Sequence, residues 1–447
     1  MKLAIVALLF LPIIIKALKQ DKWYIYLVFA FYAILPDTFA IEISGSLPLI
    51  TGSRMLILML FAVWIYKKSS EMNAYIPAGL VVYIGISVAL SLIHLDNGIG
   101  EINSLFIILF EQLLLTLLLV NLIDNKREFE LCIDFMIYGC LAVAVMAVMQ
   151  TVLSFDVTTS LDIVATRVNQ EITDRMGMIR AGGTTNPISY GCYCAFMALV
   201  ILYKFENTKK IKYMIFLLID MLAFVCTMSR SSLLCFAIVI FAQLIIRNIK
   251  FIRPYLIYVP FVVVGIIVIF MASPGLRDSV SEMFKSVLNS LGIGRYELSS
   301  EFGLNADNAA YSRMVQWSAI EHMEMDGELL FGYGYNAISR GEVYYYFKQF
   351  GTWTRTSSVD VGFVRAATDY GLCGLILNIG LVLGVIFNSF IRKSREQKYD
   401  FYNLAIYAMM LYIVLNIASA FYATTVFWLF MSLFFVYRKV RCSEETA

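Results

Sequence analysis

Residues 104–123 read SLFIILFEQLLLTLLLVNLI, an apolar run with few polar interruptions. About 20 such residues are what a helix needs to cross ~30 Å of hydrocarbon. Similar runs recur along the chain, in which 60% of the 447 residues are hydrophobic and 15% are charged. A soluble domain has roughly a quarter charged residues. The sequence therefore predicts an all-α, polytopic bundle of transmembrane helices.

The apolar runs predict twelve or thirteen spans, because the first and third are short and the eleventh begins at either residue 361 or several residues later. The predicted spans are 3–15, 23–41, 54–66, 76–94, 104–123, 132–153, 188–204, 213–228, 231–246, 254–272, 361–391, 402–418 and 421–437. We expect three regions: helices 1–10 in residues 1–272, one long, partly helical loop in residues 273–360, and the C-terminal helices in residues 361–447. A loop of this length inside a bundle is usually functional.

Basic residues fall mainly in alternate, short loops, which hold 21 of the 35 Lys and Arg. The positive-inside rule makes that side cytoplasmic, so the long loop is predicted to lie outside. The outer set contains three lysines and eleven arginines, whereas the inner set contains fourteen lysines and seven arginines. Arginine holds planar oxyanions in a fixed geometry. The outer face is therefore predicted to recognise an oxyanion, although arginine also pairs with loop carboxylates.

Three outer arginines, Arg54, Arg180 and Arg230, stand at the starts of spans beside small or turn-forming residues. Helix N-termini expose unpaired N–H groups and attract anions. Asn186 is a good helix N-cap and Pro187 suits the first helical position. The motif Arg180-Ala-Gly-Gly-Thr-Thr-Asn-Pro187 thus indicates an anion site, or else a capped helix with an interfacial arginine. Ser229-Arg230-Ser231 is predicted to be a tight turn between two spans.

These residues resemble the O-antigen ligases and the O-antigen or capsular polysaccharide polymerases, which are integral-membrane glycosyltransferases. The resemblance runs from about residue 175 to 380. It is carried by Arg180-x-x-Gly183-x-x-Asn186-Pro187, Ser229-Arg230-Ser231, Arg313-x-x-x-Trp317, Phe331-Gly332-Tyr333-Gly334, Ser358-Val359-Asp360 and Asp369-Tyr370-Gly371. Each motif is loose, but their order and the long loop are together fairly specific.

The resemblance implies a GT-C-like enzyme of the bacterial inner membrane with its site on the extracytoplasmic side. Such an enzyme takes an oligosaccharide from undecaprenyl pyrophosphate and transfers it with inversion to an acceptor hydroxyl, using neither a metal nor another cofactor. Arginines that match Arg180 and Arg230 would bind the pyrophosphate, with help from the one that matches Arg313, and the residue pattern adds Arg54, Gly183 and Asn186 as predicted pyrophosphate ligands. The implied partners are the lipid-linked oligosaccharide, membrane lipid, a flippase and a chain-length regulator, and no nucleic acid is implied.

Ligases of this family carry a histidine near the end of the long loop, where this chain has Asp360. The departure favours a polymerase, which extends lipid-linked repeat units, over a ligase acting on lipid A core or another surface acceptor. Asp360 is the candidate base, although a carboxylate there also complements the helix dipole. Arg180 and Arg230 would stabilise the charge that develops on the leaving pyrophosphate.

Aromatic residues are concentrated in the long loop, and they suit either an interfacial belt or a platform for sugar rings. Trp317, Tyr333, Tyr335 and Trp353 are the predicted glycan contacts. Two acids, Glu111 and Asp220, lie within spans, where they either line a groove or bridge helices. A transporter or flippase of lipid-linked glycans is the alternative from another class, with these two acids as proton-relay groups.

Overall fold

The computed structural model describes residues 2–19, 21–35, 40–41, 50–68, 75–153, 174–175, 178–246, 281–282, 285, 296–297, 313–347, 351–356, 358–393, 399–419 and 425–446. Its helices are α1 (Lys2–Leu18), α2 (Trp23–Ile34), α3 (Gly52–Lys68), α4 (Ala78–Ile93), α5 (Ile99–Leu122), α6 (Lys126–Leu153), α7 (Pro187–Thr208), α8 (Ile211–Cys226), α9 (Arg230–Ile246), α10 (Ser318–Asp326), α11 (Ala337–Arg340), α12 (Gly362–Arg392), α13 (Phe401–Ala418) and α14 (Thr425–Thr446). Three antiparallel hairpins pair β1 (Ala40–Ile41) with β2 (Ile50–Thr51), β3 (Asp174–Arg175) with β4 (Met178–Ile179), and β5 (Tyr344–Phe347) with β6 (Thr352–Arg355).

The prediction of an all-α, polytopic membrane protein is confirmed. Helices α5, α6, α7, α12 and α13 are long and apolar enough to cross a membrane, and α2, α3, α4 and α9 contain shorter apolar stretches. Most predicted spans coincide with helices to within a few residues. Helix α2 ends at Ile34, short of the predicted residue 41, because Leu35 is extended, as expected for the residue before a proline. The predicted span 254–272 lies outside the described residues.

The bundle has two ends that differ in the side chains they carry. At the end that we call the basic end, Lys22 bridges to Asp124 at 2.9 Å and to Glu128 at 2.6 Å. At the other, which we call the loop end, the hydroxyl of Ser231 at the start of α9 meets that of Ser419, just after α13, at 3.1 Å. A continuous apolar core, to which α2, α6, α7, α13 and α14 contribute, lies between the two ends.

Lys204 is the centre of a buried ion network near the basic end. Its ammonium lies 2.8 Å from a carboxylate oxygen of Glu130 and 2.9 Å from one of Asp134, and only 4% of its side chain is exposed. Tyr203 and Tyr213 donate their hydroxyls to the same two carboxylates at 2.7 and 2.6 Å. This network joins α6, α7 and α8.

Helix α12 is interrupted at Tyr370 and Gly371, which leave helical geometry. Residues 329–334 pair with the interrupted turn: Tyr333 N–H donates to the carbonyl of Thr368 at 2.9 Å, and Leu372 N–H donates to that of Leu329 at 2.9 Å. The backbone groups released by the break are thereby satisfied, as a buried chain requires. The loop segment 329–334 is thus fixed to the membrane bundle.

The described part of the long loop, together with the start of α12, has a small apolar core of its own at the loop end. It is built from the described residues Val315, Ala319, Ala337, Val343, Tyr345, Val359, Val361 and Val364. Ala319 lies in α10, Ala337 in α11, Tyr345 in β5 and Val364 in α12, and the other four residues lie in the segments next to these elements. The core therefore fixes the hairpin and α10 relative to the start of α12.

We expect Gly371→Ala to lower the thermal stability of the protein. Gly371 has φ +66°, and a Cβ there would lie 2.3 Å from the backbone carbonyl carbon of Leu330. Strained backbone of this kind costs about 1–3 kcal/mol. Gly380→Ala in the same helix is the matched control, since a Cβ there meets nothing within 4 Å. Melting temperatures in detergent should fall for the first variant only, and an equal response of both would contradict the role given to the break.

Lys204→Met should destabilise the bundle by about 3 kcal/mol, because it leaves two carboxylates without their cation. Lys212→Met is the control, since the Lys212 ammonium donates to the exposed hydroxyl of Tyr138. Chemical unfolding in mixed micelles measures both. A Lys204→Met protein as stable as the control would show that the network contributes little.

Candidate functional site

The start of α7 forms as the sequence predicts. Asn186 is the N-cap, its side-chain oxygen accepts the Ser189 N–H at 2.9 Å, and Pro187 occupies the first turn. The amide oxygen of Asn186 is therefore engaged in capping. Its contact with pyrophosphate stays a prediction.

Gly182 and Gly183 are explained by packing. Gly183 has φ +58°, and a Cβ there would lie 2.8 Å from the ring of Tyr190. Its N–H donates to Gln150 Oε1 at 3.0 Å, and its carbonyl accepts from Gln150 Nε2 at 3.2 Å. This pairing fixes the turn to α6. Contacts within the protein are therefore enough to explain why residue 183 is a glycine.

The turn between α8 and α9 is as short as expected, since α8 ends at Cys226 and α9 begins at Arg230. The hydroxyls of Ser229 and Ser232 lie 2.8 Å apart. A Cβ on Gly191 would lie 2.8 Å from Ser229 Cβ, so α7 and the turn are in close contact. The starts of α7 and α9 are therefore neighbours at the loop end.

Arg180 and Arg313 both lie at this junction. Arg180 is 8% exposed, and its Nε donates to the carbonyl of Thr227 at 2.9 Å, immediately before the start of α9. Arg313 lies in the neighbourhood of Cys192 on α7 and Cys235 on α9. The structure thus brings Arg180, Arg230 and Arg313 to the starts of α7 and α9, and we call these three the loop-end arginines.

Arg313 has an unusual environment within this group. Its Nε–H is buried and finds no hydrogen-bond acceptor in the part of the chain that the structure describes. An unsatisfied buried donor of a charged group is costly. An anion bound between the arginines would remove that cost.

Gln316, one turn after Arg313, connects the loop to the start of α12. Its Oε1 accepts the N–H groups of Asp360 and Val361, both at 2.9 Å, and its side chain is buried. Val361 is the N-cap of α12. The exposed carboxylate of Asp360 therefore stands at the N-terminus of α12, and its backbone is joined through Gln316 to the element that carries Arg313.

Arg54 is engaged elsewhere, between α3 and α5. Its Nε donates to Glu111 Oε1 at 2.6 Å, and its guanidinium lies 4.9 Å from the ring centre of Phe106. The structure thus places Arg54 in an ion pair between α3 and α5. Glu111 is accordingly one partner of an interhelical ion pair, which is one of the two roles that the sequence left open.

Asp220, like Glu111, connects two helices, which is one of the two roles that the sequence left open. It is fully buried, and Cys140 on α6 donates its thiol to Asp220 Oδ1 at 3.4 Å. Asp220 therefore bridges α6 and α8.

The four predicted glycan contacts fall into three places. Tyr333 and Trp353 meet at His322, whose Nδ1 lies 3.1 Å from the Tyr333 hydroxyl and whose ring centre is 5.0 Å from that of Trp353. Tyr344 stacks on the same imidazole at 4.7 Å. Trp317 is 42% exposed and has no ring contact with the others in the described part of the chain.

Tyr335 points away from that aromatic group, into a cavity of the bundle that also touches Glu111 and Tyr370. Burial raises the pKa of the Tyr335 hydroxyl to about 12. Its N–H donates to Glu101, and its carbonyl accepts from Arg340. The backbone around Tyr335 is thus fixed on both sides.

Sequence reasoning missed several polar residues that position the site. Gln150 holds the Gly183 turn, Gln316 holds the start of α12, Glu101 holds Tyr335, and Gln112 lines the cavity. Three of the four, Gln150, Glu101 and Gln112, are polar residues in otherwise apolar helices. That contrast is the signal that could have identified them, because unpaired polar groups are costly in a bilayer.

Comparison with known proteins agrees with this arrangement. Residues 213–379 match the family model described as O-antigen ligase, a stretch that runs from α8 through the loop to the break in α12 and beyond. A search of curated proteins found no significant match. The resemblance predicted from the sequence is therefore confirmed over residues 213–379.

Proposed function

We propose that this protein elongates a surface polysaccharide. It transfers an oligosaccharide from undecaprenyl pyrophosphate to a sugar hydroxyl of a second glycan, with inversion and on the extracytoplasmic side. The observation that carries the proposal is the buried Nε–H of Arg313, which finds no acceptor among the described residues and lies beside the starts of α7 and α9. A diphosphate would supply the missing acceptor.

The loop-end arginines suit a diphosphate for physical reasons. Arginine binds phosphate oxygens through a planar fork of donors, and helix N-termini favour negative charge. When the bond from the anomeric carbon to the pyrophosphate oxygen breaks, negative charge develops on the leaving group. Preorganised donors in a site of low dielectric stabilise that charge.

Asp360 is proposed as the base. The acceptor hydroxyl oxygen forms the new bond to the anomeric carbon, the pyrophosphate leaves with the electron pair of the old bond, and the hydroxyl proton passes to the Asp360 carboxylate. The link through Gln316 supports this division of roles, because it fixes the backbone of Asp360 relative to the turn of Arg313. The exposed carboxylate is open to an acceptor.

The aromatic group around His322 is the proposed contact for the body of the glycan. Tyr344, Tyr346 and Trp353 offer partly exposed rings, and the Tyr333 hydroxyl donates to Asp326 at 2.8 Å. Aromatic faces with hydroxyl and carboxylate groups at their edges suit sugars. A polymer repeat could extend across this surface while its reducing end stays at the loop-end arginines.

A ligase that transfers the glycan to lipid A core or another surface acceptor is the second candidate, favoured by the description of the matching family as O-antigen ligase. The acceptor distinguishes the two. Purified protein in nanodiscs is given undecaprenyl-pyrophosphate oligosaccharide, without nucleotide or metal, and glycan lengths are read on a gel. Ladders formed from this substrate alone support the polymerase, and transfer only after addition of lipid A core supports the ligase.

We expect Arg313→Ala, Arg180→Ala and Arg230→Ala each to reduce kcat by about 10²–10³, the cost of removing one preorganised donor. Arg313→Lys should recover little, since it keeps the charge but loses the fork. Arg441→Ala is the control, because Arg441 is a 41% exposed residue near the C-terminus, 3.9 Å from Glu444. Retained activity in Arg313→Ala, with melting temperature unchanged, would remove this arginine from the site.

Asp360→Asn should reduce kcat strongly with little change in KM, because the amide keeps the size of the side chain and cannot take the proton. Glu324→Gln, at an exposed position on α10, controls for a lost carboxylate in the same loop. Single-turnover elongation separates the chemical step from binding. Near-normal turnover of Asp360→Asn would assign Asp360 to the helix terminus alone.

A further inference from the structure

A cavity of about 110 Å³ lies between α4, α5, α12 and α14, near the loop end. We call it the chamber, and Tyr83, Gln112, Tyr335, Tyr370, Asn378 and Trp428 are among its lining residues. An engineered cavity of about 150 Å³ encloses benzene, so the smaller chamber holds only one edge of a sugar ring, and the rest of the ring would lie outside it. The loop-end arginines are not among the lining residues.

The chamber contains an unsatisfied polar atom. Gln112 is 8% exposed, and its Oε1 has no hydrogen-bond partner in the described part of the chain. Gln112 lies in the stretch Ile107–Leu114 of α5, which is π-helical. Such stretches are frequent at functional sites. A donor from a ligand would satisfy the Gln112 oxygen.

The residues that line the chamber suit a neutral polyol. Tyr83 and Trp428 form an aromatic wall, with ring centres 5.3 Å apart, which suits the C–H face of a sugar. The charge of Glu111 is balanced by Arg54 at 2.6 Å. The chamber therefore offers neutral hydrogen-bonding groups beside an apolar wall and carries no strong field for an anion.

Several hydrogen bonds hold the side of the chamber that faces the long loop. Tyr335 is held by Glu101 and Arg340, and Asn336 N–H donates to Asp369 Oδ1 at 3.1 Å. The Tyr370 hydroxyl lies within hydrogen-bond reach of Ser91 and Ser104. These bonds fix the two tyrosines in place before any ligand arrives, which reduces the entropy lost on binding.

A second, apolar cavity of about 510 Å³ adjoins the chamber, since Tyr83 and Leu377 line both. It runs between α4, α12 and α14 past Gly380 and Gly384, where a Cβ would meet nothing within 4 Å. A chain of hydrocarbon fits such a groove. An acceptor that carries a lipid could therefore reach the chamber from within the bilayer.

We propose that the chamber binds a neutral sugar ring of a lipid-linked acceptor, separately from the pyrophosphate of the donor. The inference rests on the proposed function and adds that donor and acceptor occupy different sides of the first segment of α12. Gln112 and Asn378 bond to sugar hydroxyls, and Trp428 packs against the ring. These are binding residues and take no part in proton transfer.

The test uses an acceptor that cannot act as a donor: the n-decyl glycoside of the repeat unit of the source organism's polysaccharide, which has no pyrophosphate. At saturating undecaprenyl-pyrophosphate oligosaccharide, Gln112→Leu should raise the KM for this glycoside about tenfold, as loss of one buried hydrogen bond predicts. Hydrolysis of the donor in the absence of any glycoside, which needs no acceptor, should be unchanged. Gln243→Leu is the control, since Gln243 is equally buried on α9, near Tyr399.

Photolabelling of the wild-type protein tests the proposal even if Gln112→Leu does not fold. A decyl glycoside with a diazirine on its sugar should label peptides that contain Leu90, Ile107 or Leu377, all in the wall of the chamber. Unlabelled glycoside should suppress the label. Labels confined to the His322 region, or an unchanged KM in Gln112→Leu, would overturn the inference. Absence of transfer by the wild type, with the chamber still labelled, would instead count against the proposed function.

Discussion

The interruption of α12 at Tyr370 and Gly371, and its pairing with residues 329–334, is the constraint on which the site depends. Backbone groups released inside a membrane bundle must find partners, and here the loop supplies them. One side of this junction positions Tyr335 over the chamber. The other side carries the first turn of α12, where Gln316 and Asp360 meet. The pairing at the break in α12 therefore positions both the chamber and the start of α12, which differ in chemistry.

Charge is distributed differently in these two regions. Arg54 is paired with Glu111, so that part of the bundle is neutral. Arg313 has a buried Nε–H for which the described residues provide no acceptor, and it lies near Arg180 and Arg230. A buried donor of a charged group that lacks an acceptor is expensive, whereas a neutral pair with good geometry is tolerated. The proposed diphosphate therefore suits the surroundings of Arg313, and the proposed sugar suits the neutral region beside Arg54 and Glu111.

This separation agrees with the chemistry that the family implies. A reaction between two glycans needs one site that stabilises a leaving anion and another that orients a neutral nucleophile. The apolar core of the loop, which includes Val315, Tyr345 and Val361, ties the arginine-bearing turn to the hairpin and to α12. Rigid elements, rather than isolated loops, thus position each group.

The sequence by itself determined the membrane fold, most helix ends and the cap at Asn186, because apolar length and capping chemistry are local properties. It also indicated the resemblance that the match over residues 213–379 bears out. It could not determine that Arg54 pairs with Glu111, that Gly183 serves packing, or that Tyr335 separates from Trp353. Those outcomes depend on which helices become neighbours. Contacts between residues such as Gln316 and Asp360, 44 positions apart, are set by tertiary packing, and no local pattern encodes them.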